Sequence, residues 1–392
     1  MKYFSLPADL KTETIDKYVR LNSLYEDCRV VETYGNIKSG NMLGSGRSID
    51  QLPEVDLSSL QDYIHYSRGR GIGFNYTLNT SHMHNREFTR KGIVEIMMFL
   101  ASLYEAGVRC LTVTLPSVME IVRHLRESKY DFEIKASAIC QITTANRALV
   151  YKEMGARRIV ADESLNRDFP ALKRIMAAFG KHIEVIVNAV CFKDCPYRQF
   201  HYNQIASDSI DVSGAASANY YDHRCLLRRF QNPGNFLKLS WIRPEDLKYY
   251  TGLGIQYFKL QGRHTVANGD PARAVECYFK ESYEGDLVEL LDLFNPTSHF
   301  RPSIANEKLA GFIKPFYERE NFCKNDCRNC NYCDSFASCC LDAGAVEELR
   351  RSARDFYRQY DQFNATLASL SRTKNGAGTR RENDIDVDFD IG

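Results

Sequence analysis

The sequence predicts an α/β fold: a (β/α)8 TIM-like barrel with a cysteine-rich C-terminal extension. Three observations lead there. Short strand-like runs alternate with helix-like ones along most of the 392 residues; eight such runs can be counted; and the cysteines crowd one late segment. Repeated βα units with right-handed crossovers give a parallel sheet, and eight of them close a barrel. A doubly wound open sheet is the alternative reading of the same alternation.

In chain order the candidate strands are 28–36 (CRVVETYGN), 72–79 (IGFNYTLN), 110–116 (CLTVTLP), 132–139 (FEIKASAI), 157–162 (RRIVAD), 183–189 (IEVIVNA), 236–241 (FLKLSW) and 257–263 (YFKLQGR). Between several of them lie amphipathic stretches such as FTRKGIVEIMMFLASLYEAG and PALKRIMAAFG, each ending on a glycine suited to a helix C-cap. Within FEIKASAI, Phe132, Ile134 and Ala136 share one face and Glu133, Lys135 and Ser137 the other; in YFKLQGR, Phe258 and Leu260 oppose Lys259, Gln261 and Arg263. The covering helices need the apolar face, so the polar face points into the barrel. Lys135 and Lys259 inside then need partners, for which Glu32, Glu133 and Asp162 are candidates. A register slip of one residue would instead turn these charges outward.

The chain divides into a barrel over 1–265, a helical and loop continuation over 266–322, a cysteine-rich segment over 323–340, a helix over 341–373 and a disordered tail over 374–392. Lys+Arg 51 against Asp+Glu 50 leaves a net charge of +1, so no global field draws nucleic acid or an anionic membrane. The N-terminus MKYFSLPADLKTETIDKY lacks the apolar core of a signal peptide, and no run of apolar residues reaches membrane-spanning length. A soluble, cytoplasmic protein is expected.

Thirteen cysteines are many for such a chain, and in a reducing compartment they point to metal or cluster ligation rather than disulfides. Cys191 and Cys195 follow directly on the strand 183–189, at the end of a barrel where active sites are built, and Cys225 lies in the insertion that follows. Three thiols there suggest an iron–sulfur cluster; one buried thiol beside two incidental ones is the plain alternative. Cys323, Cys327, Cys330 and Cys333 lie within eleven residues (CKNDCRNCNYC), so they can wrap one centre at little loop-closure cost. Their spacing by two and three residues resembles [4Fe–4S] ligation, with zinc as the alternative. Cys339 and Cys340 are substitutes or spares. The C-x3-C-x2-C match to radical S-adenosylmethionine enzymes comes after all the strands and is treated as accidental.

Other motifs say less. GNMLGSGR (40–47) lacks the phosphate-loop pattern, and His82 and His84 in a polar loop read as solvated. No nucleophile–base pair is evident, so no catalytic residue is named. Asn79, Asp162, Asn188, Arg243, Gln261 and Arg263, all near strand exits, are the candidate substrate-binding residues. Arg243 and Arg263 in particular suit a carboxylate or phosphate through paired N–H donors.

The opening FSLPADLKTETID, the stretch VVETYGN followed by GSGR, the loop CFKDCPYR and the strand FKLQGR resemble the U32 peptidase family, the collagenase-like peptidases, over roughly residues 1–265. FKLQGR stands where the family commonly carries Lys-Ile-Glu-Gly-Arg, so Gln261 departs from Glu. The resemblance implies two activities: the proteolysis that named the family, and oxygen-independent hydroxylation of ubiquinone precursors or RNA bases by iron–sulfur members, with prephenate implicated as oxygen donor. It also implies a [4Fe–4S] cluster held by four cysteines, three of which match Cys191, Cys195 and Cys225. The fourth is expected in SWIRPEDL (240–247), which has none.

These readings favour an iron–sulfur enzyme with [4Fe–4S] clusters at two places, modifying an organic-acid or RNA substrate without oxygen. The second centre would relay electrons or fasten the extension. A peptidase is one competitor; a non-catalytic cluster protein serving a protein partner or acting as an electron carrier is the other.

Overall fold

The computed structural model describes residues 1–38, 43–210, 220–298 and 300–374. Eight strands close one parallel barrel in sequence order: β1 (Lys2–Pro7), β2 (Cys28–Gly35), β3 (Gly73–Leu78), β4 (Cys110–Val113), β5 (Glu133–Ala136), β6 (Ala156–Val160), β7 (Ile183–Ile186) and β8 (Tyr257–Lys259). β8 pairs with β7 on one side and with β1 on the other, which excludes the open sheet. Eight is the expected number, reached through two errors that cancel. The first strand, KYFSLP, starts at the second residue and had not been counted. The run 236–241 is not a strand. After Pro233 the chain makes a helical turn, Gly234–Leu237, held by Trp241 Nε1–H donating to the Phe236 carbonyl at 2.8 Å, and its only sheet-like pairing is an isolated bridge between Leu239 and Phe192.

The outward face of the strands is apolar, as the alternation required. Phe4 of β1 packs on Phe258 of β8, their ring centroids 5.5 Å apart, and on Phe279 from the helix Pro271–Lys280. The inward face is polar and charged. Lys135 is 3% exposed; it donates to Glu32 and lies 3.1 Å from both carboxylate oxygens of Glu184, which is itself fully buried. Ser5 Oγ donates to Glu184 at 2.6 Å, Asn75 to Glu32 at 3.3 Å, and Thr112 to Asn75 at 2.6 Å. Lys259 stands 4.0 Å from Glu184 with its ammonium 3.7 Å from the centre of the Tyr34 ring, and burial pushes it down to about 7. Of the expected partners, Glu32 is right. Glu133 is exposed and Asp162 is engaged at the barrel mouth, while Glu184, hidden in an apolar run, takes their place.

Between β7 and β8 the chain makes a long excursion that carries the helices Arg198–Ile210 and Tyr220–Phe230. Beyond β8 come short helices, the helix Tyr332–Cys340 of the cysteine-rich extension, and the long helix Ala343–Lys374, which packs against Tyr220–Phe230. Of the tail expected over 374–392, all but Lys374 lies outside the described residues, as does part of the 40–47 loop. Among the described residues no helix is long and apolar enough to cross a membrane.

Lys135→Met leaves two buried carboxylates facing each other, so it should cost about 3–5 kcal/mol in denaturant unfolding; a loss below about 1 kcal/mol would mean that water reaches the barrel interior. The network also sets an acid limit. Burial alone would raise the Glu32 pKa, but Lys135 and Arg158 outweigh it and hold Glu32 down to about 2. Its contribution is therefore complete above the unfolded value of about 4.3 and drains away as pH falls through the folded one. Acid titration of the unfolding free energy should show that slope in the wild type.

Candidate functional site

The site lies at the C-terminal ends of the strands. Asn188, just past β7, clamps the exit of β8: its Nδ2 donates to the Gln261 carbonyl at 2.8 Å and to the Leu291 carbonyl at 2.9 Å, and its Oδ1 accepts from the Gln261 N–H at 2.7 Å. Gln261 Nε2 donates back to the Asn188 carbonyl at 3.3 Å, a bond that a glutamate at this position could not make. Gly262 follows with φ +136°, and a Cβ there would fall 2.7 Å from Leu293 and from Thr265. That turn separates Gln261 and His264, which face the cavity above, from Arg263, which does not.

A cavity of ≈ 480 Å³ opens over this clamp. Cys191, Cys195 and Cys225 all line it, together with Arg229, His201 and Asp222. The loop carrying the first two thiols is pinned by Arg198, whose guanidinium donates to Asp162 at 2.7 Å and to the Phe192 carbonyl at 2.6 Å and lies 3.7 Å from Glu163. Arg229 Nη2 donates to Cys225 Sγ at 3.3 Å, and His201 Nε2 lies 3.1 Å from Asp222. Burial pushes the Cys191 thiol well up, Glu163 adding to it, so without a metal this thiol stays protonated. Burial pushes His264 down to about 3, with Arg47 reinforcing it, so its ring is neutral.

The other sequence candidates find different company. Arg263 is buried, its Nη1 donating to Asn36 (2.6 Å), Thr77 (2.8 Å) and Ser45 (3.2 Å) and its Nη2 to Asn79 (3.2 Å). Asn79 and Arg263 are thus brought together by neutral oxygens, with no carboxylate in ion-pair distance among the described residues. Asp162 belongs to Arg198. Arg243 is not a neighbour of Arg263 at a strand exit: it is buried on Glu245 at 2.9 Å, off the cavity wall, because the run expected to present it is not a strand. Sequence reasoning missed Arg198, Glu163, Arg229 and the His201–Asp222 pair. All but Glu163, which follows β6, lie in an excursion without strand periodicity, where the signal available was the crowding of charge around Cys191–Cys225.

In the extension Cys323, Cys327 and Cys330 are exposed and Cys333 is half-buried, while Cys340 is a core residue bonded to its own helix. The two cysteine loops touch. Asn325, between Cys323 and Cys327, donates to Asp194, between Cys191 and Cys195, at 2.5 Å. Among the described residues no three Cys, His, Asp or Glu side chains converge as a finished metal site. The donor chemistry of the cavity nevertheless suits a thiolate-held group: three thiols line it, with a guanidinium on one of them. Ser240 N–H donates to the Cys191 carbonyl at 3.0 Å, so the segment implied to hold a fourth ligand does lie beside Cys191 and presents Ser240 and Trp241 there.

The family model described as peptidase family U32 matches residues 50–195, which run from before β3 to the second thiol of this loop. Over that span the chain is similar to peptidase family U32. An uncharacterized protease, MJ1657, of Methanocaldococcus jannaschii is 28% identical over 296 residues, covering 75% of this chain and 84% of that protein. Among solved structures, the U32 peptidase Mk0906 overlaps 66% of this chain and 92% of its own at 16% identity and a TM-score of 0.47. A D-psicose 3-epimerase overlaps 55% of this chain and 83% of its own at 12% identity and a TM-score of 0.33. Both structural likenesses are remote and carry no chemistry across.

Thiolate, not thiol, reacts with alkylating agents, so the environments above rank the cysteines of metal-free protein. Iodoacetamide near pH ~8 should label the exposed Cys323, Cys327 and Cys330 before Cys191, as read by peptide mass mapping. Early labelling of Cys191 would mean that its thiol is not held protonated by burial.

Proposed function

We propose that this chain is an iron–sulfur enzyme of the U32 family that carries out oxygen-independent hydroxylation, or a related modification, of an organic-acid or RNA substrate in the barrel-mouth cavity. The observation that supports it most is that Cys191, Cys195 and Cys225 all line one cavity, with Arg229 donating to Cys225. These three residues would hold the cluster, and the bound group would supply an iron centre able to bind and polarise an oxygen-bearing group. Arg229 then offsets thiolate charge, and the Arg198–Asp162 pair keeps the loop in place. Asp222 fixes His201 through Nε2, leaving Nδ1 to exchange a proton with bound substrate. Beneath the floor Arg263, lacking a carboxylate partner, and Arg47 beside it favour an anionic group at the mouth. Cys323, Cys327, Cys330 and Cys333 would hold a second cluster, or zinc.

Proteolysis is the second reading, favoured by the name of the Methanocaldococcus relative and by Cys225 lining the same cavity as the His201–Asp222 pair. Purification without oxygen separates the two. The iron–sulfur reading expects a brown protein with broad absorption near ~400 nm. Cys225→Ser should lose part of its iron and sulfide, and metal-free protein should not cleave casein or gelatin. A colourless protein that cleaves casein in air, and stops on Cys225→Ser, would establish the peptidase instead.

A further inference from the structure

Among the described residues Arg167, like Arg263, has no carboxylate within ion-pair distance. Arg167, at the end of the short helical turn Glu163–Arg167 after β6, lies under the cysteine-rich extension. Its guanidinium carbon stands 4.8 Å from the ring centres of Trp241 and Phe312 and 5.7 Å from that of Phe316, and Nη1 donates to the Leu237 carbonyl. Nε and Nη2 are buried with no acceptor among the described residues. Aromatic faces repay part of the desolvation of a guanidinium, but two buried N–H groups without acceptors remain a cost. Phe312 and Phe316 in turn pack on Tyr332, the residue before Cys333, with ring centroids 5.6 and 5.9 Å apart.

The extension is also pressed onto this place. Lys238 lies 3.4 Å from Asp334, the residue after Cys333, and follows Leu237, whose carbonyl accepts from Arg167. Gly234 allows the approach: a Cβ there would fall 1.8 Å from Asp334 Oδ1. Neutral thiols would give two converging cations nothing, whereas thiolates around a metal ion carry net negative charge.

We propose that Arg167 is the buried counter-charge of an anionic tetrathiolate metal centre, iron–sulfur or zinc, formed by Cys323, Cys327, Cys330 and Cys333. This deepens the reading of the extension given above and is independent of the barrel-mouth cluster. Three of the four thiols are exposed, so they are free to turn inward when metal binds, and closure of the site is coupled to loading. Arg167 is a positioning residue acting through the ligands, not a ligand.

The test uses the full chain carrying Cys191→Ser and Cys225→Ser, loaded anaerobically with Zn2+ alone or with iron and sulfide. Arg167→Met should weaken metal retention against a chelator by about 10–100-fold, and Arg167→Lys should recover part of the loss. Melting separates this role from a packing role: metal-free Arg167→Met should melt no lower than its parent, and only the loaded proteins should differ. Retention of zinc alone identifies a zinc site; assembly of iron and sulfide identifies a cluster. Equal destabilisation with and without metal would overturn the proposal, as would unchanged retention or a segment that holds neither metal. Should Arg167→Met not fold, Arg167→Lys against its parent gives the same comparison, and equal retention there together with metal surviving Cys333→Ser would reject the site.

Discussion

The contact on which the structure depends is the one between Lys135 and the two carboxylates of Glu32 and Glu184 at the centre of the barrel. An ammonium between two buried carboxylates is stable only if its geometry is nearly complete, because each ion has given up its water. The three residues come from β5, β2 and β7, so satisfying them fixes strands that are far apart in sequence in one register. A slip of one residue in any of these strands would turn its charge out among the helices. The barrel therefore closes around a polar axis rather than the branched apolar layers usual for the fold.

What stands on that axis is the mouth. With β7 and β8 in register, Asn188 and Gln261 meet across their exits and hold the floor of the cavity. Gly262 then lets the chain turn so that Arg263 points toward β2 and β3 while His264 faces the cavity. The excursion between β7 and β8 brings Cys225 round to Cys191 and Cys195, and the extension docks on that same excursion through Asn325, Lys238 and Gly234. Two cysteine groups, one ending at Cys225 and the other beginning at Cys323, thus share one face of the barrel.

Much of this was legible in the sequence because it followed from periodicity. The inward faces of β5 and β8 were read correctly from the alternation around Lys135 and Lys259, and Cys191 was placed past a strand end because IEVIV is an unmistakable buried run. Other parts carried no such signal. β1 is short, begins at the second residue and runs straight into proline. FLKLSW alternates like a strand, yet Pro233 and the Trp241–Phe236 bond fold it into a turn, and that error carried Arg243 to a false position. Glu184 was hidden by the apolar residues around it, since a charge inside a buried strand is legible only from the partners that balance it. The pairing of Arg198 with Asp162, and the isolation of Arg167, depend on side chains converging from distant segments, which no spacing encodes.

The central claim is that the thiols at the barrel mouth hold iron. Iron K-edge X-ray absorption tests it most directly, on protein loaded without oxygen in which Cys323, Cys327, Cys330 and Cys333 are all replaced by serine. Iron bound through Cys191, Cys195 and Cys225 predicts a shell of sulfur neighbours together with iron–iron scattering from a cluster. Iron surrounded only by oxygen and nitrogen, or no bound iron in a folded protein, would contradict it.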